Sequence, residues 1–509
     1  MERTHLVRQW LDLFGCLPPD QAAAQAELLT HGPELAAALL RQSLVLDPYQ
    51  PALFGRLLRR SPAPNPVPFM AWLRALGSSV NRAPGRPSAS GPEPGEAEAD
   101  PAALLAAVRA EPSPGRRLPL VLRLWRLGAA EALVQAVAAH CATATGRLAG
   151  PLLAWGLRAA GRPEAARKLA DRCPATFLTH NLRARLALDA GDGAAALGHW
   201  MASLAFEPEQ AWVRALAARG SDRLPPPGAA ARRPVRLCLA DPADPALLEA
   251  TLAHLAAATP PSATAGVTVL LHHGPDDQAA RLTAAAGPLP LELVRAPDLP
   301  GAGAARNRLL ALDSVRRAGR MALLAPGARP VPGWLDAAAQ DLDEDPALVV
   351  VGGKVVSDGG VRLVRQVYRQ LAEMGPDHVR LTPAAPRRLD LGQFDGARPC
   401  LTAPGACRVL DLERLERLSG VAAGWDGGFL TPTAADQAHD FAVWRAGGRV
   451  LYDGRLETAL PDQLPDAVAA LHDQQVLAAR WSSAGLAGLV RDVTEAGLPP
   501  YPDAPLESD

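Results

Sequence analysis

The chain has 509 residues, which is more than one hydrophobic core normally organises, so two or three domains are expected. Hydrophobic residues make up 48% of it and charged residues 21%, and the net charge of −1 disfavours nucleic acid or an anionic membrane as a partner of the whole chain. Without an apolar run of about 18 residues and without a CxxC pair among its six cysteines, the sequence predicts no membrane span, no zinc site and a cytoplasmic protein.

The first part of the chain has a helical pattern interrupted by two linkers. The pattern predicts a helical region over residues 1–81. It predicts a linker over residues 82–101, because their Pro, Gly, Ser and acidic residues bury too little apolar surface to offset the entropy of ordering. A second linker spans 221–234, where three consecutive prolines mark the main domain boundary.

Between the linkers, residues 102–220 alternate Leu/Ala-rich helices with short polar turns. Gly161 and Gly191 follow two of these helices, at the position that favours a left-handed C-cap. The second helix pair, which closes at 206–208 with an ending similar to 43–48, resembles a tetratricopeptide repeat. Its spacing is shorter than the standard repeat, so a generic helical bundle is the alternative. Either arrangement predicts a binding surface or a support for the second domain.

After the second linker, short apolar runs alternate with helical stretches. The four predicted strands are 235–240, 267–273, 291–296 and 321–325. This alternation predicts an α/β domain with a mostly parallel sheet covered by helices on both faces. Ligands of such sheets bind at the carboxyl ends of the strands.

Several motifs follow in a fixed order within this half of the chain. They are GAGAARN at 301–307, LLAPGARPVPGWL at 323–335, VVVGGKV at 349–355, PGACRVL at 404–410 with GWDGGF at 424–429, and AGGRVLY at 446–452. In this order they resemble family 2 glycosyltransferases of the GT-A type. The resemblance implies a Rossmann-like nucleotide-diphospho-sugar transferase domain over 235–462, preceded by an α-helical repeat domain and followed by C-terminal helices and a tail over 463–509.

The resemblance also implies a metal-binding Asp-x-Asp, or Asn-Pro-Asp, directly after the fourth strand. This chain has Ala325, Pro326 and Gly327 there, and neither Ala nor Gly supplies the oxygen ligands that Mg²⁺ or Mn²⁺ requires. A divalent metal is therefore not expected. Arg329, close by in the sequence, is the candidate to hold the diphosphate of a nucleotide-sugar donor in its place.

Four further residues are candidates for donor binding. Asp241 follows the first strand, and Asp277 is the last acidic residue of the loop after the second. Arg306 and Asn307 belong to the GAGAARN motif at the start of a helix, which is a natural phosphate-facing position. The alternatives are a turn-forming role for Asp241 and a purely structural role for Arg306 and Asn307.

The family's catalytic base is a carboxylate near the start of a late helix, where it removes the proton of the acceptor hydroxyl. Counting back from Gly447 selects Asp436, whereas the local sequence selects Asp440, and the two share one helical face. The alternative is that Asp436 caps the helix and Asp440 is solvated. Trp425 and Trp444 are candidates to stack on sugars.

Two functions remain open from the sequence. The first is a glycosyltransferase, in the family's terms a hexosyltransferase, that moves a sugar from a nucleotide-sugar to a hydroxyl of a glycan, lipid or protein acceptor, with the helical repeats recognising the acceptor or a protein partner. The second is a catalytically inactive relative that acts as a binding or scaffold protein. An oxidoreductase is disfavoured, because no glycine fingerprint follows the first strand.

Overall fold

A computed structural model describes residues 100–493, apart from short interior stretches. Those stretches are 128, 144–145, 208–209, 220–232, 241–244, 260–262, 272–276, 298, 359–362, 375–378, 384–387, 391, 393, 419–423, 462–466, 482–484, 487 and 491. The predicted region 1–81, most of both linkers, Asp241 and the final tail therefore lie outside the described residues.

The chain divides into two compact units. The helical unit consists of Met1–Pro227, Val356–Arg365 and Ala385–Gly396. The α/β unit consists of Gly228–Val355, Gln366–Ala384 and Ala397–Asp509. The predicted domain ranges, including 235–462 as one continuous domain, stay predictions.

The described helices of the helical unit follow one another closely along the chain. They are α1 (Pro101–Ala110), α2 (Pro114–Arg126), α3 (Ala130–Cys141), α4 (Gly150–Ala159), α5 (Pro163–Arg172), α6 (Phe177–Asp189), α7 (Gly193–Phe206) and α8 (Ala211–Arg219). The apolar faces of α1 to α6 form a core around residues such as Trp125, Leu153 and Trp155, and α7 and α8 pack with α6 in a second cluster that includes Trp200. The tetratricopeptide assignment stays a prediction.

Two glycines end helices as the sequence predicts. Gly161 and Gly191 have φ angles of 73° and 77°, in the left-handed region that glycine adopts without steric cost. After α4, the amide of Arg162 donates to the carbonyl of Leu157 at 2.9 Å, which is the long bond of a Schellman cap. The short turns between consecutive helices follow from these caps.

The segment Ala385–Gly396 packs on helices of its own unit. Asp395 accepts from Arg185 of α6 at 2.8 Å, and a Cβ at Gly392 would lie 2.8 Å from the Trp155 ring. Only a glycine therefore lets this segment approach α4 so closely. The helical unit thus includes a contact that its helical sequence pattern did not indicate.

The α/β unit alternates strands and helices. Its strands begin with β1 (Val235–Ala240), β2 (Thr264–Leu271), β3 (Leu291–Arg295), β4 (Arg320–Leu324), β5 (Arg329–Pro330) and β6 (Leu348–Ser357). Later strands are β7 (Leu363–Gln366), β8 (Arg369–Met374), β9 (Val379–Pro383), β10 (Arg388–Leu389), β11 (Ala397–Pro399), β12 (Cys407–Asp411) and β13 (Arg449–Leu460), of which β7 and β10 fall in segments of the helical unit or at their edge. Its helices are α9 (Pro245–Ala258), α10 (Gln278–Ala286), α11 (Ala302–Leu310), α12 (Asp313–Ala318), α13 (Trp334–Glu344), α14 (Leu412–Arg417), α15 (Pro432–Arg445) and α16 (Ala467–Arg480).

The central sheet runs in the order β6-β12-β4-β1-β2-β3. Strands β1, β2, β3 and β4 are parallel, whereas β12 is antiparallel to both β4 and β6. Because the chain moves from β1 outward to β3 and then returns to β4, the strand order reverses between β1 and β4, which is where open α/β sheets bind ligands. Cys407 of β12 pairs with Leu324 of β4. Because the two strands are antiparallel, the beginning of β12 lies at the carboxyl end of β4.

The four predicted strands are confirmed with small shifts at their ends. The apolar runs of β1, β2 and β4 are largely buried under helices such as α9, which packs with Leu248, Leu252 and Leu255, whereas β3 is only partly buried. The helical stretch predicted after β3 is two helices, because Leu312 takes an extended conformation between α11 and α12. None of the described helices combines the length and the apolar character that a membrane crossing requires.

Candidate functional site

The turn after β4 occupies the position of the missing metal motif. Ala328 donates to the carbonyl of Ala325 at 3.0 Å, and Gly327 at the corner has a φ of 83°. The amide of Gly327 donates to Thr251 Oγ1 of α9 at 2.7 Å. Since no side chain of Ala325, Pro326 or Gly327 offers an oxygen ligand, this turn does not fit a divalent metal. Among the described residues, no three His, Cys, Asp or Glu side chains lie close enough together to hold one.

The start of α11 packs against the GWDGGF segment. The amides of Ala302 and Gly303 donate to the carbonyls of Leu430 and Phe429, at 3.2 Å and 3.3 Å. A Cβ at Gly303 would overlap the carbonyl oxygen of Asp426, so glycine is required for this approach. Two of the amides at the phosphate-facing position that the sequence predicts are thus already bonded to the chain.

Asn307 holds the same segment from the side. Its Nδ2 donates to the carbonyl of Trp425 at 2.7 Å, and its Oδ1 accepts from the amide of Trp425 at 2.8 Å. These two hydrogen bonds hold the backbone of Trp425 near the start of the GWDGGF segment. In the structure, Asn307 therefore bonds to the chain itself, and its role in donor binding stays a prediction.

Arg306 reaches the predicted base on α15. Its Nη2 donates to Asp436 Oδ2 at 2.9 Å, and its Nε lies 2.9 Å from Oδ1. The indole of Trp425 donates to Asp436 Oδ1 at 3.0 Å. A Cβ at Gly405 would overlap Oδ2 of the same carboxylate, which explains the glycine of the PGACRVL motif. Motifs far apart in the sequence thus meet at one carboxyl group.

Arg408 of β12 joins both candidate bases. It donates from Nη2 to Asp440 Oδ1, and its Nη1 lies 3.4 Å from Asp436 Oδ1. The other oxygen of Asp440 accepts from the amide of Ala403 at 3.0 Å. Burial lowers the pKa of Arg306, while at Arg408 burial is outweighed by Asp440 and Asp436, which raise its pKa. We call Arg306, Arg408, Asp436 and Asp440 the buried charge cluster.

The two non-catalytic alternatives for these carboxylates are both wrong in their stated form. Helix α15 is capped by Thr431, whose Oγ1 accepts from the amide of Ala434 at 3.3 Å, so Asp436 is not the cap. Asp440 is not solvated, because its exposure is 0%. Asp436 is only 2% exposed, so neither carboxylate faces solvent in the structure.

His439 lies beside the buried charge cluster and stacks on Trp425, with ring centroids 4.3 Å apart. Its Nδ1 is 3.7 Å from Asp440 Oδ1, which is longer than a hydrogen bond, and neither ring nitrogen has a hydrogen-bond partner among the described residues. Burial is the main reason that the pKa of His439 lies below its ordinary value, with Asp440 opposing and Arg408 adding to this shift.

His439 is expected to make the protein sensitive to acid. Because its pKa is lower in the folded than in the unfolded chain, the unfolded chain binds more protons once the pH falls below about 6.5, and folding stability then decreases. His439→Phe, which keeps the stack on Trp425, should reduce the stability lost as the pH falls below about 6.5 in urea titrations. Part of the loss remains in the variant, because burial also lowers the pKa of His140 to about 4. An unchanged pH dependence would contradict this role of His439.

The remaining predicted residues lie on other elements. Asp277 precedes α10 with its side chain 68% exposed, 3.7 Å from Arg281. Arg329 is an exposed residue of β5 and pairs with Ala459 of β13. Trp425 and Trp444 are buried, so neither presents a face for sugar stacking in the structure.

Sequence reasoning missed Arg408, which joins the two carboxylates. A signal was available, since Arg408 is a charged residue between Cys407 and the apolar pair Val409 and Leu410 of β12. An arginine in such a strand needs a buried acidic partner, and the two aspartates of α15 are what it contacts.

Comparisons with known proteins give structural neighbours but no family. No protein-family model and no curated protein matches the sequence. Similar solved structures include GalNAc-T7 with UDP, GalNAc and Mn²⁺, at 12% identity and a TM-score of 0.39, which covers 52% of this chain and 52% of that one. This chain thus spans about half the length of GalNAc-T7 in that structure.

Two further structures are similar at the same level. One is the mannosyltransferase PcManGT from Pyrobaculum calidifontis in complex with GDP-Man and Mn²⁺, at 16% identity and a TM-score of 0.35, covering 63% of this chain and 81% of that one. The other is a mycobacterial protein, at 14% identity and a TM-score of 0.33, covering 51% and 76%. With identities and TM-scores this low, we derive function from the contacts of the chain itself.

Proposed function

We propose that the α/β unit is a glycosyltransferase domain that transfers a hexosyl group from a nucleotide-sugar to a hydroxyl of a glycan, lipid or protein acceptor. The observation that carries the proposal is the meeting of the GAGAARN, PGACRVL and GWDGGF motifs around Asp436. These segments are distant in sequence, and a shared contact at one carboxylate is what a common site requires. The helical unit would recognise the acceptor or a partner protein.

In this proposal the donor lies along the carboxyl ends of β1 and β4. The acceptor oxygen attacks the anomeric carbon, the bond from that carbon to the diphosphate breaks, and the diphosphate leaves with the electron pair. Asp436 takes the acceptor proton, while Asp440 is the other candidate for this role. Arg329 compensates the charge of the diphosphate, and Asp241, Asp277, Arg306 and Asn307 are the remaining residues proposed to lie near the donor.

For Asp436 to accept a proton, the acceptor hydroxyl has to reach its carboxylate, which is buried in the structure. Arg306, Arg408 and Trp425 surround its carboxylate, so the contact with Arg306 has to open when donor and acceptor bind. Such opening requires substrate contacts that replace the lost ion pair, because an unpaired charge in this place is costly. The base assignment therefore makes a strong demand on substrate binding.

The second candidate function is a non-catalytic binding or scaffold protein. The specific observation that favours it is that the chain's own groups donate to every carboxylate oxygen of Asp436 and Asp440 and accept from two amides at the start of α11. A protein that retains these contacts would stay folded. Without a carboxylate that can accept a proton, it would not catalyse sugar transfer.

Donor titration of the full chain tests the first function. UDP-, GDP- and dTDP-sugars are added with and without Mn²⁺, and the melting temperature is measured. At a donor concentration a hundred times Kd, binding should stabilise the protein by about 2.7 kcal/mol. We expect stabilisation by at least one donor without metal, weakened in Arg329→Gln. Stabilisation only with Mn²⁺ would contradict our interpretation of the turn after β4, and no response to any donor would favour the scaffold.

A further inference from the structure

Arg369 and Thr402 lie opposite each other in the α/β unit. They form an isolated antiparallel bridge in which the amide of Arg369 donates to the carbonyl of Thr402 at 3.1 Å. Side chains of directly opposed residues in an antiparallel pair project on the same side of the ladder. The guanidinium of Arg369 and the hydroxyl of Thr402 therefore share one face.

Neither of these polar groups has a partner within the described part of the chain. Thr402 is 0% exposed, and its Oγ1 makes no hydrogen bond. No hydrogen bond or ion pair of the Arg369 guanidinium to a described residue is present, and burial alone lowers its pKa, to about 10. Arg369 thus remains a cation at neutral pH, and no carboxylate of a described side chain pairs with it.

Unsatisfied groups of this kind are unusual in a folded protein. Leaving a buried hydroxyl such as that of Thr402 without a hydrogen bond costs about 1–3 kcal/mol, whereas Arg369 is half-buried and keeps part of its surface in contact with solvent. Most such groups are satisfied by water, an ion or a ligand. A cation and a hydroxyl on the same face are together suited to an oxyanion, since both donate hydrogen bonds.

The bridge lies at the edge of the sheet where ligands are expected. Cys407 at the beginning of β12 is opposite Leu324 at the end of β4, and the amide of Ala325 donates to the carbonyl of Ala406 at 2.9 Å. Thr402 precedes β12 by a few residues and hence lies beyond the carboxyl end of β4.

Thr402 also lies on a defined side of the place proposed for the donor. Strand β4 separates β12 from β1, so Thr402 is on the side away from the proposed donor. The adjacent amide of Ala403 donates to Asp440, and Gly405 contacts Asp436, so this loop is next to both candidate bases. A group bound here would be close to the acceptor hydroxyl.

We propose that Arg369 and Thr402 form a subsite for an oxyanion group, a carboxylate or a phosphate, carried by the acceptor. The anion site itself follows from the contacts. That its occupant is the acceptor rests on the proposed function. The subsite predicts an acidic acceptor, such as a uronic acid or a phosphorylated glycan, in preference to a neutral one.

The test uses the full chain and small probes. D-glucuronate, glycerol 1-phosphate and, as the uncharged comparison, D-glucose are titrated by calorimetry. We expect one or both anions to bind and glucose not to compete. Binding of glucuronate alone identifies a carboxylate, and binding of glycerol 1-phosphate alone identifies a phosphate.

Variants of both residues make the assignment specific. Arg369→Gln should weaken anion binding by about tenfold or more, which corresponds to a charge-assisted hydrogen bond, and Arg369→Lys should restore part of the affinity. Thr402→Val should weaken binding less but leave the anion-free protein as stable as before or more stable, because it removes an unsatisfied hydroxyl. Arg317→Gln, which removes an exposed arginine of α12, is the matched control and should change nothing.

The outcomes separate this inference from the proposed function. Anion binding without any response to nucleotide-sugars would support the subsite while contradicting the transferase. Absence of binding by both anions, or equal affinity in Arg369→Gln, would overturn the subsite. If Arg369→Gln weakens the donor and not the small anions, the arginine belongs to the donor diphosphate and the acceptor assignment is wrong. Arg369→Lys and Thr402→Val keep the test decisive if Arg369→Gln does not fold.

Discussion

Replacing Arg408 with methionine is expected to lower the free energy of unfolding of the α/β unit by about 3–5 kcal/mol, the range for breaking a buried ion pair. The side chain of Arg408 is 0% exposed and contacts Asp440 and Asp436. Without it, Asp440 is left as a buried charge with the amide of Ala403 as its remaining described hydrogen-bond donor. Chemical denaturation of the full chain, followed by circular dichroism, measures the loss.

Two further variants define what this loss means. Arg449→Met removes an arginine whose side chain is 46% exposed and whose partner Asp345 lies at 3.1 Å, so it should cost no more than about 1 kcal/mol. Combining Arg408→Met with Asp440→Asn should recover part of the stability, because the second change removes the stranded charge. A stability of Arg408→Met within about 1 kcal/mol of the parent would show that the charge cluster is not buried as described.

Asp436→Asn is expected to reduce the rate of sugar transfer by about 10²–10⁴-fold, the usual contribution of a general base. Asparagine keeps the shape and can still accept the hydrogen bond from Trp425, but it cannot take a proton from the acceptor. The rate of nucleotide release in the presence of acceptor gives the activity, and donor titration under the same conditions should show little change in affinity.

The same measurement on Asp440→Asn decides between the two carboxylates. Both variants lose stability, because each carboxylate is paired with a buried arginine. The variant of the base also loses turnover per folded molecule with donor affinity retained, whereas the variant of the other carboxylate keeps its turnover per folded molecule. Equal turnover in both variants and the parent would contradict a role as base for either residue. A parent protein that binds donor and shows no turnover would favour the scaffold function.

The buried charge cluster does not by itself distinguish the two candidate functions. Its two arginines balance its two aspartates, and the pKa of the adjacent His439 is lowered by burial, which favours the neutral ring. Such a balanced cluster can persist for structural reasons alone, since breaking it is costly whether or not the protein is an enzyme. Retained motifs around Asp436 are therefore weaker evidence for catalysis than turnover is.

The sequence by itself determined the first four strands of the α/β unit and the helix after the first of them. Apolar runs of five to eight residues are found as strands β1 to β4, and the stretch after the first of them is helix α9 from Pro245 to Ala258. Gly161 and Gly191 likewise end helices with positive φ angles. These features depend on neighbours within a few positions, so they are encoded in local patterns.

Only the tertiary structure decided what the site residues contact. Arg306 and Asp436 are 130 positions apart, and nothing local in either segment indicates that they form an ion pair. The same holds for the pairing of Arg408 with Asp440 and for the carbonyls that bond to the start of α11. Motif order could place these residues in one domain, but whether a carboxylate faces a substrate or an arginine depends on how distant segments pack, and that is set by the fold as a whole.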